Sequence, residues 1–193
     1  MLGSFARRAR VVAVATLLVF LGSAAAWAVE YPGPVDEYAS YQPEDGCRHK
    51  PMKGTRQLAA WLEKAFDGGS AVTATRACTS STSEHQDGRA IDWMMDATSK
   101  ADRAEVTRFL GEIFATDVDA EAHALARRMG IMYVIWNDHM YASYRQFEKR
   151  DYLSSSCPSR KKCSKTLRHR DHVHLSLSRP GGRAATTWYG RTP

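Results

Sequence analysis

Residues able to bind a metal ion are concentrated in two short segments of the sequence. In the first, His85 and Asp92 lie seven residues apart, with Gly88 and Ala90 between them. Glycine allows a tight turn, so a bend at Gly88 would bring His85 back over Asp92. Because histidine nitrogen and aspartate oxygen are both ligands that Zn²⁺ accepts, this segment predicts two ligands of one metal ion.

The second segment, residues 169–176, has the composition of a strand that borders the core. The alternation of a strand places His172 and His174 on one face and the apolar residues on the other. Two imidazoles that point the same way favour a metal site over a pair of cations. One of them, together with His85 and Asp92, would leave a fourth position open, as in catalytic but not structural zinc sites.

Each of these residues also has a simpler explanation when it is taken alone. His85 would then be a loop histidine, and Asp92 would cap a helix or a turn. His172 and His174 would belong to a solvated strand face. A zinc site made of cysteine thiolates is a further alternative, but the sequence contains no Cys-x-x-Cys pair. The combination of the two segments, with a glycine and an alanine at suitable places, favours the histidine and aspartate site.

The first 28 residues have the pattern of a secretory signal peptide. Arginines at positions 7, 8 and 10 precede an apolar run over residues 11–21, and small residues end at Ala28. This run is shorter than the roughly 20 residues that a membrane-spanning helix needs. We therefore expect cleavage and export with no stable membrane span, and an uncleaved anchor is the alternative.

Export changes how the charge and the cysteines are interpreted. Without the three leader arginines, 24 basic residues face 21 acidic ones, a net charge of +3 instead of +6, which is too small to indicate a nucleic-acid partner. An even number of cysteines in an exported protein indicates disulfides. Cys157 with Cys163, close in sequence, and Cys47 with Cys78 form the favoured pairing among the three that four cysteines allow.

The chain after the leader is long enough for one domain. We expect an extended arm over residues 29–55 and one domain over residues 56–193, with a loop-like tail from about residue 180. Hydrophobic periodicity predicts helices over residues 56–66 after a Thr55 cap, from Ser99 onward, and from Asp117–Asp119 to a C-cap at Gly130. Strands are predicted over residues 71–75, 90–94, 131–136 and 172–177, and a loop over residues 137–170. This order predicts an α+β fold with a small antiparallel sheet flanked by helices.

The pattern Ser83-x-His85-x-x-Gly88-x-Ala90-x-Asp92 resembles the S-x-H-x-x-G-x-A-x-D signature of VanY-type D,D-carboxypeptidases. These enzymes belong to the hedgehog/D,D-peptidase group of zinc metallopeptidases, which cut peptidoglycan peptides. The segment His172-Val173-His174 resembles the H-x-H of that group, which implies that His174 is the third zinc ligand. The resemblance, which includes an exported bacterial branch, extends over about residues 56–178 and implies a hedgehog/D,D-peptidase-like fold.

One position departs from the VanY-like pattern. Those enzymes have a glutamate as general base three residues before the last histidine, where this sequence has Asp171. The penicillin-insensitive murein endopeptidases of the same group have H-x-x-H-x-H, which is similar to His169-x-x-His172-x-His174. The resemblance therefore implies Asp171 or His172 as the base, with His169 assisting. An extended strand would turn Asp171 away from His172, which favours the histidine.

These features predict a secreted or cell-wall-associated zinc peptidase that hydrolyses peptide bonds in peptidoglycan stem or cross-link peptides. Arg76 would hold the substrate carboxylate or the developing oxyanion. The alternative for Arg76 is a surface arginine beside a disulfide. The missing glutamate favours the alternative of a non-catalytic, zinc-containing cell-wall recognition module. A third alternative is a structural secreted domain that binds no metal. The sequence indicates no particular oligomeric state.

Overall fold

A computed structural model describes residues 31–72, 75–76, 78 and 83–191 of the chain. The helices and strands are, in chain order, α1 (Lys53–Ala65), β1 (Ala71–Val72), β2 (Ala90–Trp93), α2 (Lys100–Ile113), α3 (Ala124–Met129), β3 (Ile131–Trp136), β4 (His139–Ala142), β5 (Lys149–Asp151), β6 (Val173–Leu177) and α4 (Arg179–Gly182). The predicted signal peptide lies outside the described residues. Among the helices that are described, none is long and apolar enough to cross a membrane.

The six strands form one sheet in the order β1-β2-β6-β3-β4-β5, and all neighbouring strands are antiparallel. The prediction of an α+β fold with a small antiparallel sheet is confirmed. The last strand, β6, lies between β2 and β3. This arrangement pairs Asp92 with His174 and Tyr133 with Ser176, so segments far apart in sequence become neighbours.

Alternation along the central strands separates the core from the face that bears the histidines. The main core combines one face of β2, β3 and β6 with residues of α1, α2 and α3; it includes Leu58, Ile91, Trp93, Phe109, Met129, Val134, Val173 and Leu175. Asp92 and His174 alternate with these core residues along β2 and β6, and therefore lie on the opposite face.

The starts of the helices follow the predictions only in part. α2 begins after Ser99, whose hydroxyl accepts a hydrogen bond from the Asp102 backbone N–H, which confirms the predicted cap. The predicted Thr55 cap is wrong, because α1 begins at Lys53 and Thr55 lies in its first turn. Thr55 instead donates from Oγ1 to the carbonyl oxygen of Gly88 at 2.8 Å, which fastens the helix to the segment between His85 and Asp92.

α3 begins later than predicted and ends as predicted. The Asp117 carboxylate accepts hydrogen bonds from the backbone N–H groups of two residues that follow it, including Glu121, so it stabilises a turn and not a helix start. His123 has a left-handed backbone with φ of 56°, which an α-helix does not accommodate. The helix therefore starts at Ala124, and it ends at a left-handed Gly130 C-cap.

The prediction of a loop over residues 137–170 is wrong where β4 and β5 form a hairpin extension of the sheet. Asn137 and Asp138 both have positive φ, 46° and 66°, as a tight two-residue turn between β3 and β4 requires. All three residues of β5 (Lys149–Asp151) are exposed, and the strand lies at the sheet edge. The hydrophobic pattern gave no signal for it, because an exposed edge strand has no apolar face.

The prediction of a loop-like tail from about residue 180 is also wrong. Ser178 caps the short helix α4 by accepting a hydrogen bond from the Gly181 backbone N–H. A 3₁₀ turn over Thr187–Gly190 follows, and its Trp188 is 2% exposed within the main core. The tail is anchored because a large aromatic side chain buries much apolar surface.

Both predicted disulfides are present. Cys47 is bonded to Cys78, and Cys157 to Cys163. The first joins the arm to the segment that precedes His85. The described part of that arm, residues 31–52, contains no helix or strand.

Arg89, which lies between His85 and Asp92 in the sequence, connects the arm to the sheet. Its side chain is 1% exposed. Its guanidinium donates from Nε to Asp87 Oδ2 at 2.8 Å, and from Nη1 and Nη2 to the carbonyl oxygens of Leu177 and Gln42. A buried arginine is stable only when hydrogen-bond partners replace the water that it loses on burial. The three contacts together provide these partners.

Candidate metal centre

A tight turn returns His85 over β2. The backbone N–H of Arg89 donates to the carbonyl oxygen of Glu84 at 2.9 Å, and Gly88 has φ of +75°. A Cβ at Gly88 would lie 2.9 Å from the carbonyl oxygen of Lys50. The bend is therefore present at the predicted residue, and both its backbone conformation and its surroundings require glycine.

The turn brings the three predicted metal ligands together. His85 Nε2 lies 3.1 Å from Asp92 Oδ2, and His174 Nδ1 lies 2.9 Å from Asp92 Oδ1. One ligand atom from each of the three residues lies within 4.8 Å of the others. Both histidines are buried, whereas the Asp92 side chain is 17% exposed, so the group has one side open to solvent.

The charges at this site suit a cation. Burial by itself would raise the pKa of the Asp92 carboxyl, but hydrogen bonds with His174 and His85 outweigh it and hold the pKa well below its usual value. Burial lowers the pKa of His174 even though Asp92 opposes the shift. An ionised carboxylate beside two imidazoles is the donor set that divalent metals with mixed nitrogen and oxygen ligands bind. The residues present therefore fit a metal ion.

His172 lies next to this group and is held by a carboxylate. Its Nε2 is 3.7 Å from Asp92 Oδ1, and its Nδ1 is 2.7 Å from Asp171 Oδ1. Asp171 Oδ2 also accepts a hydrogen bond from Thr166 Oγ1 at 2.6 Å. Burial would raise the pKa of Asp171, but the bonds from Thr166 and His172 lower it overall.

The expectation that Asp171 faces away from His172 is wrong. Both residues precede β6, which begins at Val173, so the alternation of a strand does not apply to them. Asp171 and His172 consequently form one hydrogen-bonded pair and are not independent alternatives.

His169 borders the same cluster on its other side. Its ring centroid is 4.8 Å from that of His172, and ligand atoms of His169, His172 and His174 form a second group within 4.8 Å. Burial, aided by the neighbouring histidines, lowers the pKa of His169 to about 3. Its Nδ1 is buried without a hydrogen-bond partner among the described residues, so it can accept or donate a bond to a ligand.

Arg76 lies at the open side of the site. Its Nη2 is 3.6 Å from Asp92 Oδ2, and its side chain is 58% exposed. An exposed guanidinium near a carboxylate is free to contact a second anion from solvent. The position is thus compatible with the predicted contact to a substrate carboxylate.

Two further residues at the site do not follow from the sequence pattern. Tyr133 donates from its hydroxyl to Glu84 Oε2 at 2.5 Å, and its ring stacks on His174 with centroids 5.7 Å apart. Tyr133 belongs to a continuous apolar run, which predicts core and nothing more. Only the pairing of β3 with β6 places it beside His174, and that pairing is not visible in the sequence.

Comparison with known proteins gives one finding about family. The family model described as "VldE, C-terminal domain" matches residues 47–157, which is more than half of the chain. The match includes His85 and Asp92 and ends before the segment that contains His174. No curated protein and no solved structure matches the chain. On the extent of that match, the chain belongs to the VldE C-terminal domain family.

Proposed function

We propose that this protein is a zinc-dependent hydrolase of peptide bonds in peptidoglycan stem or cross-link peptides. The main support is the convergence of one ligand atom from each of His85, Asp92 and His174 within 4.8 Å, beside an open side of the site. The resemblance of this motif to VanY-type D,D-carboxypeptidases supports the choice of zinc and of a substrate that contains D-amino acids. The two disulfides support secretion to the cell wall, because they form in oxidising compartments.

Each residue has a defined task in this proposal. A zinc ion held by His85, Asp92 and His174 would supply a Lewis acid that polarises the scissile carbonyl and acidifies water. His172 accepts the proton at Nε2 during attack and returns it to the leaving amine. Asp171 accepts the Nδ1 hydrogen of His172 and so keeps Nε2 free.

Arg76 and His169, which flank the candidate metal centre, bind the substrate in this proposal. Arg76 binds the carboxylate of the substrate or the developing oxyanion. His169, held neutral by burial, contacts the substrate through its unpartnered Nδ1 and assists His172.

Elemental analysis of the purified, oxidised protein tests the metal site. We expect about one zinc per chain, since the three ligands form a single site, and loss of the metal in His85→Ala and in His174→Ala. His139→Ala is the matched control, because His139 contacts the Asn137 carbonyl oxygen and lies outside both histidine groups. A folded wild-type chain that binds no zinc, even when zinc is offered, would contradict the proposal.

Cleavage assays then test the substrate. Zinc-loaded protein should release a terminal residue from stem peptides or separate cross-linked muropeptides, and mass spectrometry of the products identifies the bond that is cut. A chelator should abolish cleavage and zinc should restore it. Stable zinc binding without cleavage of either substrate would refute the hydrolase.

One observation favours a second function, a non-catalytic zinc-containing module that recognises the cell wall. The carboxylate at the position of the expected glutamate, Asp171, is engaged by both Thr166 and His172. It is therefore less available to take a proton from water. Sedimentation with purified peptidoglycan, without release of soluble peptides, would support this function over hydrolysis.

A further inference from the structure

We propose that Glu84, Tyr133 and Ser176 are positioning residues that fix the tautomer and the ring orientation of His174 for metal binding. The three side chains form a buried hydrogen-bond chain behind the candidate metal centre. The inference rests on the metal site of the proposed function and not on hydrolysis.

The chain is continuous from the carboxylate to the imidazole. Tyr133 donates from its hydroxyl to Glu84 Oε2 at 2.5 Å, and it also has a side-chain hydrogen bond with Ser176, its partner in the β3–β6 pairing. Ser176 Oγ lies 2.9 Å from His174 Nε2. All four residues are buried, with at most 8% of each exposed, so water does not compete for these bonds.

The direction of the hydrogen bonds follows from the number of protons that each group has. The Glu84 carboxylate accepts the single hydroxyl hydrogen of Tyr133, so the Tyr133 oxygen is left to accept from Ser176. Ser176 then uses its only hydrogen, and its oxygen must accept from the Nε2–H of His174. A neutral imidazole has one N–H, so His174 Nδ1 retains its lone pair.

That lone pair faces the position where a metal ion would bind. His174 Nδ1 lies 2.9 Å from Asp92 Oδ1. Without a metal ion a shared proton holds these two atoms at this distance, and a bound cation would take the place of that proton. The Tyr133 ring stacks on the imidazole at an interplanar angle of 22°, which restricts its rotation. Partners of this kind raise metal affinity by holding the ligand in its binding orientation.

Zinc affinity, measured by competition with a chromogenic chelator at one fixed pH, tests the inference. Tyr133→Phe keeps the ring stack and removes the hydroxyl, while Ser176→Ala removes the acceptor of His174 and leaves the Glu84–Tyr133 bond in place. We expect either variant to weaken zinc binding roughly 10- to 100-fold. The double variant should lose little more than one single variant, because both break the same chain.

Tyr152→Phe is the matched control. Tyr152 is also partly buried and contacts the site, with its ring 5.1 Å from that of His169, but its hydroxyl bonds to Ser154. Its zinc affinity should stay within about twofold of wild type, since its hydroxyl lies outside the chain. Wild-type affinity in both Tyr133→Phe and Ser176→Ala, or an equal loss in Tyr152→Phe, would overturn the positioning role.

A measurement on the wild-type protein covers the case in which the variants do not fold. Nitrogen-15 NMR of the zinc-loaded protein distinguishes the two tautomers of His174. We expect a proton on Nε2 and the metal on Nδ1; the reverse assignment would refute the inference. Absence of zinc binding by the wild type would instead refute the proposed function, and absence of cleavage with zinc bound would refute only the hydrolase.

Discussion

His172→Ala is expected to lower kcat for peptide hydrolysis by roughly 100- to 10,000-fold, the usual contribution of a general base, while the bound zinc is retained. His172 Nε2 faces the metal group, 3.7 Å from Asp92 Oδ1, but it is not among the three proposed ligands. Its removal therefore deletes the proton acceptor without deleting a donor atom. Single-turnover kinetics on a muropeptide, with zinc content measured on the same samples, checks both parts.

Asp171→Asn separates the two residues that could be the base. An amide at this position can donate to His172 Nδ1 and would favour the tautomer with a proton on Nε2, so activity should fall at least roughly tenfold. If His172→Ala keeps its activity and Asp171→Asn abolishes it, then Asp171 is the base. His139→Ala should show wild-type kcat, because its imidazole bonds to Asn137 outside the site.

Arg89→Met is expected to lower the free energy of unfolding by about 3–5 kcal/mol, as removal of one partner of a buried ion pair does. Asp87 would lose its bond from Arg89 Nε, and burial already raises the pKa of Asp87 in spite of the arginine. Two carbonyl oxygens, of Leu177 and Gln42, would lose their donors as well. Urea unfolding followed by circular dichroism measures the change.

Arg150→Met is the matched control for this substitution. Arg150 pairs with Glu148, but the two side chains are 51% and 61% exposed, and exposed pairs contribute about 0–1 kcal/mol. Adding Asp87→Leu to Arg89→Met should recover part of the loss, because no uncompensated carboxylate then remains. A loss below about 1 kcal/mol in Arg89→Met would mean that the buried pair does not stabilise the fold as argued.

The parts of the fold that the sequence predicted are those in which local pattern and burial agree. β3 is a continuous apolar run that is buried at every residue, and β2 alternates between core and site as expected. β5 could not be predicted, because its residues Lys149, Arg150 and Asp151 are all charged and give the strand no apolar face. The turn at Asn137–Asp138 did leave a signal, since both residue types accept positive φ more readily than most.

The candidate metal ligands could be predicted because each lies in a short motif, but the residues that support them could not. His85, Asp92 and His174 come together as their spacing implied. Glu84 and Tyr133 meet only through the pairing of strands that are distant in sequence, which a single sequence does not reveal. The prediction for Asp171 is wrong because strand alternation does not apply to Asp171 and His172, which precede β6.

The central position of the last strand has a consequence for how the protein matures. β2 and β3 do not pair with each other; each pairs with β6, so the sheet remains in two pieces until residues 173–177 have been synthesised. Such long-range pairing is formed late and slowly, and His174 itself lies on the strand that completes it. A chain that has not yet reached these residues therefore has neither a finished sheet nor all three candidate ligands, so metal binding at this group would have to wait for their synthesis.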